Sequence, residues 1–284
     1  MNKKQFCHAL RNTMFFSTCL YLASLFLYSN DVNAQALNLA STAIDTPIEI
    51  FADNGIEWQK DNKILIASGN ARASRNGITV VSEVLRAYYE RKKGGGADLY
   101  RLDAAGGVRI FSKTESITGE TAVLDFKLAI LKIDGKNVIY RTENESITAN
   151  QQMEYWERQQ MAIARGNAVA KQAGKTVRAD VLKALMSKND KGKTRIKLVE
   201  AFNNVLVISD KDRVSADQAQ YNALTGIAIL ENNVTITRGK NILTGDKAEI
   251  DLNTGISKLL TVRRVKSTSE KKKRIRGLIF PKKK

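Results

Sequence analysis

The chain has 284 residues, with 46 Lys and Arg against 29 Asp and Glu, a formal charge of +17, and only two cysteines and one histidine. Cys7, Cys19 and His8 all fall within the first 34 residues, so a chain that loses this segment has neither thiol nor imidazole, which excludes disulfide staples, Cys/His zinc sites and histidine-activated nucleophiles. Nucleic acid is not an expected partner, because the basicity is mainly a tail property: Val262 to Lys284 holds 11 Lys and Arg against Glu270 alone, with Phe280 its single aromatic and no aromatics interleaved through the basic run.

The chain opens as a secretory signal does. Lys3, Lys4 and Arg11 precede an apolar run from Met14 to Tyr28, and Val32-Asn33-Ala34 supplies a small-residue cleavage motif. Cleavage after Ala34 and export to the periplasm are expected. The run is shorter than the ~20 residues that span a bilayer comfortably, which leaves a retained anchor as the alternative. What remains is enough for a stable core without staples.

Between Pro47 and Pro281, the only prolines, apolar and polar residues alternate in short runs, as half-buried antiparallel strands do. In chain order these include Ile64-Leu65-Ile66, Tyr100-x-Leu102, Ile196-x-Leu198, Val205-x-Val207, Ile227-x-Ile229 and Val234-x-Ile236. A helix competes only over Gln151 to Met161.

Six copies of one unit run through this region. Gly69-Asn70-Ala71, Gly106-Gly107-Val108, Lys136-Asn137-Val138, Gly166-Asn167-Ala168, Asn203-Asn204-Val205 and Asn232-Asn233-Val234 open them. Nine residues after each third position stands an apolar residue: Val80, Ile117, Ile147, Val177, Val214 and Leu243. Two further on comes a small residue, then an acid or Asn: Glu83, Glu120, Asn150, Asp180, Asp217 and Asp246. Copies are about 30 residues apart, with extensions at Arg91 to Gly96 and Lys188 to Lys193 that read as surface hairpin loops. Each copy reads as a hairpin plus a return strand. The Gly and Asn residues before each first strand suit turns that need positive φ.

In the second strand of each unit the apolar offsets are 0, 2, 5, 7 and often 9, so strict alternation breaks at the small-acidic step. A bulge or corner there would keep one face inward and bend the sheet at the same level in every copy. The predicted fold is all-β, an antiparallel β-jellyroll or folded trough of about 16 to 20 short strands. One domain is expected over 35–262, followed by a disordered basic tail over 263–284. The trough would be lined by Val80, Leu85, Ile117, Leu124, Phe126, Val177, Leu182, Val214, Tyr221, Leu243 and Ile250. Ile48 and Ile50 in the first strand, and Leu259, Leu260 and Val262 in the last, would form unpaired edges suited to docking by β-augmentation. Hydrogen bonding at a bulge is the expected role of the acidic column, in preference to a metal or catalytic ladder, because each copy has one acid and Asn150 interrupts it. No cofactor is expected.

These columns resemble the OstA-like repeat of LptA and of the periplasmic part of LptD, over roughly Ile48 to Val262. The resemblance implies a jellyroll of V-shaped section, a non-enzymatic carrier holding the lipid A chains of lipopolysaccharide in its apolar interior. It further implies sheet pairing end to end with LptC-like and LptD-like proteins and with other copies, in a bridge between inner and outer membrane. The chain departs from the family in its length and in its basic tail. The alternatives are a β-solenoid enzyme acting on acidic polysaccharide, for which the spread of single acids offers no acid/base cluster, and a membrane-anchored LptC-like or structural envelope protein.

Overall fold

A computed structural model describes residues 46–91, 96–188, 194–210, 212–251, 253–254, 256–260 and 275–279. Among them every regular element is a strand. The first group is β1 (Glu49–Phe51), β2 (Gly55–Gln59), β3 (Ile64–Arg75), β4 (Ile78–Arg91), β5 (Ala97–Phe111), β6 (Glu115–Asp125), β7 (Ile130–Asp134) and β8 (Val138–Thr142). Then follow β9 (Glu145–Ala149), β10 (Gln152–Trp156), β11 (Met161–Gln172), β12 (Lys175–Lys188), β13 (Thr194–Ile208), β14 (Asp212–Asn222), β15 (Ile227–Arg238), β16 (Asn241–Asp251), β17 (Ser257–Leu260) and β18 (Arg276–Leu278).

All pairings are antiparallel, and each long strand contributes its two halves to two walls. One wall runs β2-β3-β4-β5-β6-β7-β10-β11 and on through β16 to β17. The other runs β1-β3-β4-β5-β6-β8-β9-β11 and on through β16 to β18. At ~4.8 Å per strand the walls extend on the order of 60 Å.

The crease between the walls is a stacked column of bulges. Gly69-Asn70, Gly106-Gly107, Gly166-Asn167, Asn203-Asn204 and Asn232-Asn233 all have positive φ, from 43° to 86°. Each pair puts one extra residue opposite the small-acidic step of its neighbours, and the register slips there in every long-strand pairing, for example between Ser68 and Ala71 and between Phe202 and Val205. Glycine is required where strands approach closely at the crease: a Cβ on Gly106 would lie 2.6 Å from Glu83 Cβ. The acids tie adjacent strands across the crease. Asn204 Nδ2 donates to Asp180 at 2.9 Å, Asn233 Nδ2 to Asp217 at 2.8 Å, and the Lys136 amide to Glu120 at 3.1 Å.

Three expectations need correction. In five of the six copies the return strand and the following first strand are a single bent strand, so those Gly and Asn pairs sit inside strands rather than in turns, positive φ with a bulge bending the backbone without ending its ladder; only at Lys136-Asn137 does a turn separate them, as β7 and β8. Gln151 to Met161 forms no helix. It holds β10, a turn and the start of β11, because Met153, Tyr155 and Trp156 find partners on both β7 and β11. Of the basic tail, Arg276–Leu278 is strand β18, paired with Ile242 to Thr244 of β16, which supplies its backbone with hydrogen bonds. The leader, its cleavage point and Val262 lie outside the described residues.

A longer period is superposed on the short one. β3, β4, β5 and β6 recur 97 residues later, bound for bound, as β11, β12, β13 and β14, so that Ile64 maps on Met161 and Asp125 on Asn222. β2 maps on β10 by the same shift, Gly55 on Gln152. The fold is a tandem pair of equivalent halves, and β9 and β10 occupy in the junction the place that β1 and β2 occupy at the free end.

Candidate functional site

The two walls face each other across one apolar interior. Residues from both, such as Ala71, Val80 and Val108 beyond the crease and Ala67, Leu85 and Leu102 before it, belong to one continuous buried cluster reaching Val205. A second cluster, from Val214 to Ile250, shares Val207 and Ala219 with it at its border. Val80, Leu85, Ile117, Leu124, Leu182, Val214 and Ile250 are buried there, Phe126, Val177 and Tyr221 are half-buried, and Leu243 is 37% exposed.

The interior is tighter in the first half than in the second. Val80, Leu102, Ile110 and Leu124 are buried, with Leu124 only 2% exposed. Their counterparts 97 residues on, Val177, Val199, Val207 and Tyr221, are all half-buried. Val in place of Leu102 and Ile110 removes methylene volume where the walls meet, and unfilled volume leaves neighbouring side chains accessible.

Polar groups gather where the free rims of the walls approach. Tyr140 Oη donates to Glu115 at 2.7 Å, and Glu115 is 7% exposed. Burial pushes the Glu115 carboxyl up to about 7, against the pull of the tyrosine hydrogen bond and with a small push from Glu145. Burial also raises the Glu145 carboxyl. It raises the Tyr140 hydroxyl well above its ordinary range, with Glu115 adding to the effect. Tyr155 comes from the opposite wall and is pushed up to about 12 by burial and then by Glu157. At the corresponding place in the second half stands Asp212, gripped by Arg238 Nε at 2.6 Å and Nη2 at 2.9 Å. The sequence reading passed over this cluster, although period-two spacing marks it: Glu115 and Glu145 stand two residues before the inward Ile117 and Ile147, and Tyr140 two after Val138.

The ends of the sheet are open. β1 and β2 pair only with β3, and β17 and β18 only with β16, among the described residues. Ile48 and Ile50 are half-buried beside β3, as is Leu259 beside β16, while Leu260 is exposed. β2 widens the first edge with exposed Ile56 and with Trp58, whose indole donates to Tyr89 Oη at 2.6 Å. Most of the exposed large apolar side chains belong to these two ends, including Phe51, Ile256, Ile275, Leu278 and Ile279. No group of three or more metal-ligating side chains occurs among the described residues.

The family model described as LptA/(LptD N-terminal domain) LPS transport protein matches residues 146–256, from within β9 to the approach to β17. Among solved structures, the crystal structure of LptH, titled the LptA homologous periplasmic component of the conserved lipopolysaccharide transport device from Pseudomonas aeruginosa, is similar to 48% of this chain over 95% of its own length. The identity is 17% and the TM-score 0.41. No curated protein matches.

Proposed function

We propose that this chain is a periplasmic carrier of lipopolysaccharide, one link of a bridge between the inner and outer membranes, a reading supported by the match of residues 146–256 to the LptA/LptD N-terminal family model. The observation that carries this reading is the single apolar interior running between two walls whose ends are unpaired. Each methylene moved from water into such an interior contributes ~0.8 kcal/mol, so a ten-carbon stretch of acyl chain supplies ~8 kcal/mol before ordering costs. The half-buried side chains around Val177, Val199, Val207 and Tyr221 make the second half the place where acyl chains enter with least separation of the walls. The lining proposed for those chains is Val80, Leu85, Ile117, Leu124, Phe126, Val177, Leu182, Val214, Tyr221, Leu243 and Ile250. The strand edges at the two ends suit antiparallel pairing with LptC-like and LptD-like partners or with a second copy.

Photocrosslinking in cells tests the reading, with the probe at Leu182, Tyr221 or Ile250 and, as the outward control, at Lys183, which pairs with Glu200 at 2.8 Å. Lipopolysaccharide adducts at the inward positions alone are expected. A folded, exported protein that gives no adduct from any inward position would overturn the carrier function.

A further inference from the structure

A cavity of about 580 Å³ opens at the rim of the wall that contains β2, where the ends of β4, β5, β6 and β12 meet the turn between β10 and β11. Four cationic side chains from separate elements line it: Arg75, Lys127, Arg158 and Lys188. Its apolar side is Leu99 and Phe126, both packed against the buried core. Three carboxylates share the rim, Glu90, Asp98 and Glu157, and Glu90 is taken by Lys127 Nζ at 2.7 Å. Arg158 donates to the Lys127 carbonyl, a neutral partner. Neither Arg158 nor Lys188 has a carboxylate partner among the described residues. Two cations without a carboxylate ion-pair partner among the described residues therefore stand beside an opening that leads to apolar side chains.

The second half of the fold supplies an internal control. Carried forward 97 residues, Arg75 becomes Gln172, Lys127 becomes Leu224 and Phe126 becomes Ala223, while Asp98 and Tyr100 become Arg195 and Lys197. The crease keeps its small, acidic and positive-φ positions in both halves, as the bend requires. Along the rim Lys188 has a cationic counterpart in Arg91 and Leu99 an apolar one in Ile196, whereas Arg75, Lys127 and Asp98 lose their charge type, so the fold does not require this combination of charges.

We propose that this cavity binds the phosphate group of an amphiphile, with Arg158 and Lys188 on the phosphate oxygens and the first methylenes of the chain between Leu99 and Phe126. The proposal rests on the carrier reading and adds a headgroup subsite to it. Charge-assisted hydrogen bonds from two cations make a substantial contribution at a partly enclosed site.

Calorimetric titration of the exported protein with decyl phosphate, decyl glucoside and inorganic phosphate tests the assignment, on wild type, on R158Q/K188Q and on the control R195Q/K197Q. Far-UV circular dichroism checks that each protein is folded. The expected result is decyl phosphate binding weakened about tenfold or more in R158Q/K188Q alone, with decyl glucoside unaffected and inorganic phosphate a poor competitor. Equal decyl phosphate affinity in all three proteins overturns the subsite and, if both alkyl compounds still bind, leaves the carrier reading standing. Efficient competition by inorganic phosphate overturns the amphiphile in favour of a free-anion site. Binding of neither alkyl compound overturns the subsite and the carrier reading together.

Discussion

Glu115→Gln should remove a pH dependence of stability that the wild-type protein carries between about pH 4.5 and 7. The buried carboxyl titrates near 7 in the folded protein against an ordinary 4.5, so over that interval the folded state holds a proton that the unfolded chain has lost. Stability from this group is fully present below the unfolded value and is lost as pH rises through the folded one. At about 1.4 kcal/mol per pKa unit the loss has an upper bound of about 3.5 kcal/mol. Glutamine keeps an oxygen for the Tyr140 hydroxyl but never ionises. Tyr140 and Glu145 on the same wall, and Tyr155 across from it, are the titratable groups that face Glu115. Urea denaturation followed by circular dichroism from pH 5 to 8 gives the comparison, since the other carboxylates contribute to both proteins alike. The variant should match or trail the wild type at pH 5 and exceed it at pH 8. Parallel profiles across the range would refute the assignment of a buried, proton-holding carboxyl at this rim.

Gly106→Ala should cost about 2–4 kcal/mol, because left-handed strain of about 1–2 kcal/mol adds to the 2.6 Å approach to Glu83 Cβ. Gly107→Ala, with positive φ and open space around it, should show the strain alone; equal urea midpoint shifts would mean that the crease is not close-packed at Gly106. Arg238→Ala leaves Asp212 buried without its bidentate partner and should destabilise by about 2–3 kcal/mol, the low end for a broken buried pair because Arg238 is partly exposed. Thermal melting of that variant and of the double variant with Asp212→Asn separates a lost pair from a lost contact. Leu124→Ala should cost about 3 kcal/mol and Val177→Ala about 1 kcal/mol or less, as chemical denaturation would show if the interior is closed in the first half and loose in the second.

The alternation of Val205-x-Val207 and Ile227-x-Ile229, the small-acidic step at Ala179-Asp180 and the Asn pairs at 203 and 232 were legible from the sequence. Side-chain period and backbone φ are properties of a few adjacent residues, and six copies in one register repeat them. Local pattern accordingly determined the all-β class, the level of the bend and the inward face on either side of it. It could not determine that a return strand and the next first strand are one continuous strand. A positive φ at Asn232 and Asn233 serves a hairpin or a bulge equally well, and the choice depends on a neighbour, β14 or β16, offering its ladder across the crease. Nor could it bring Tyr155 of one wall to the Glu115 rim of the other, seat β18 on Ile242 to Thr244, or leave Arg158 and Lys188 beside one cavity. Those are contacts between residues far apart in the chain, and their burial, pairing and charge exist only once the two walls have closed on each other.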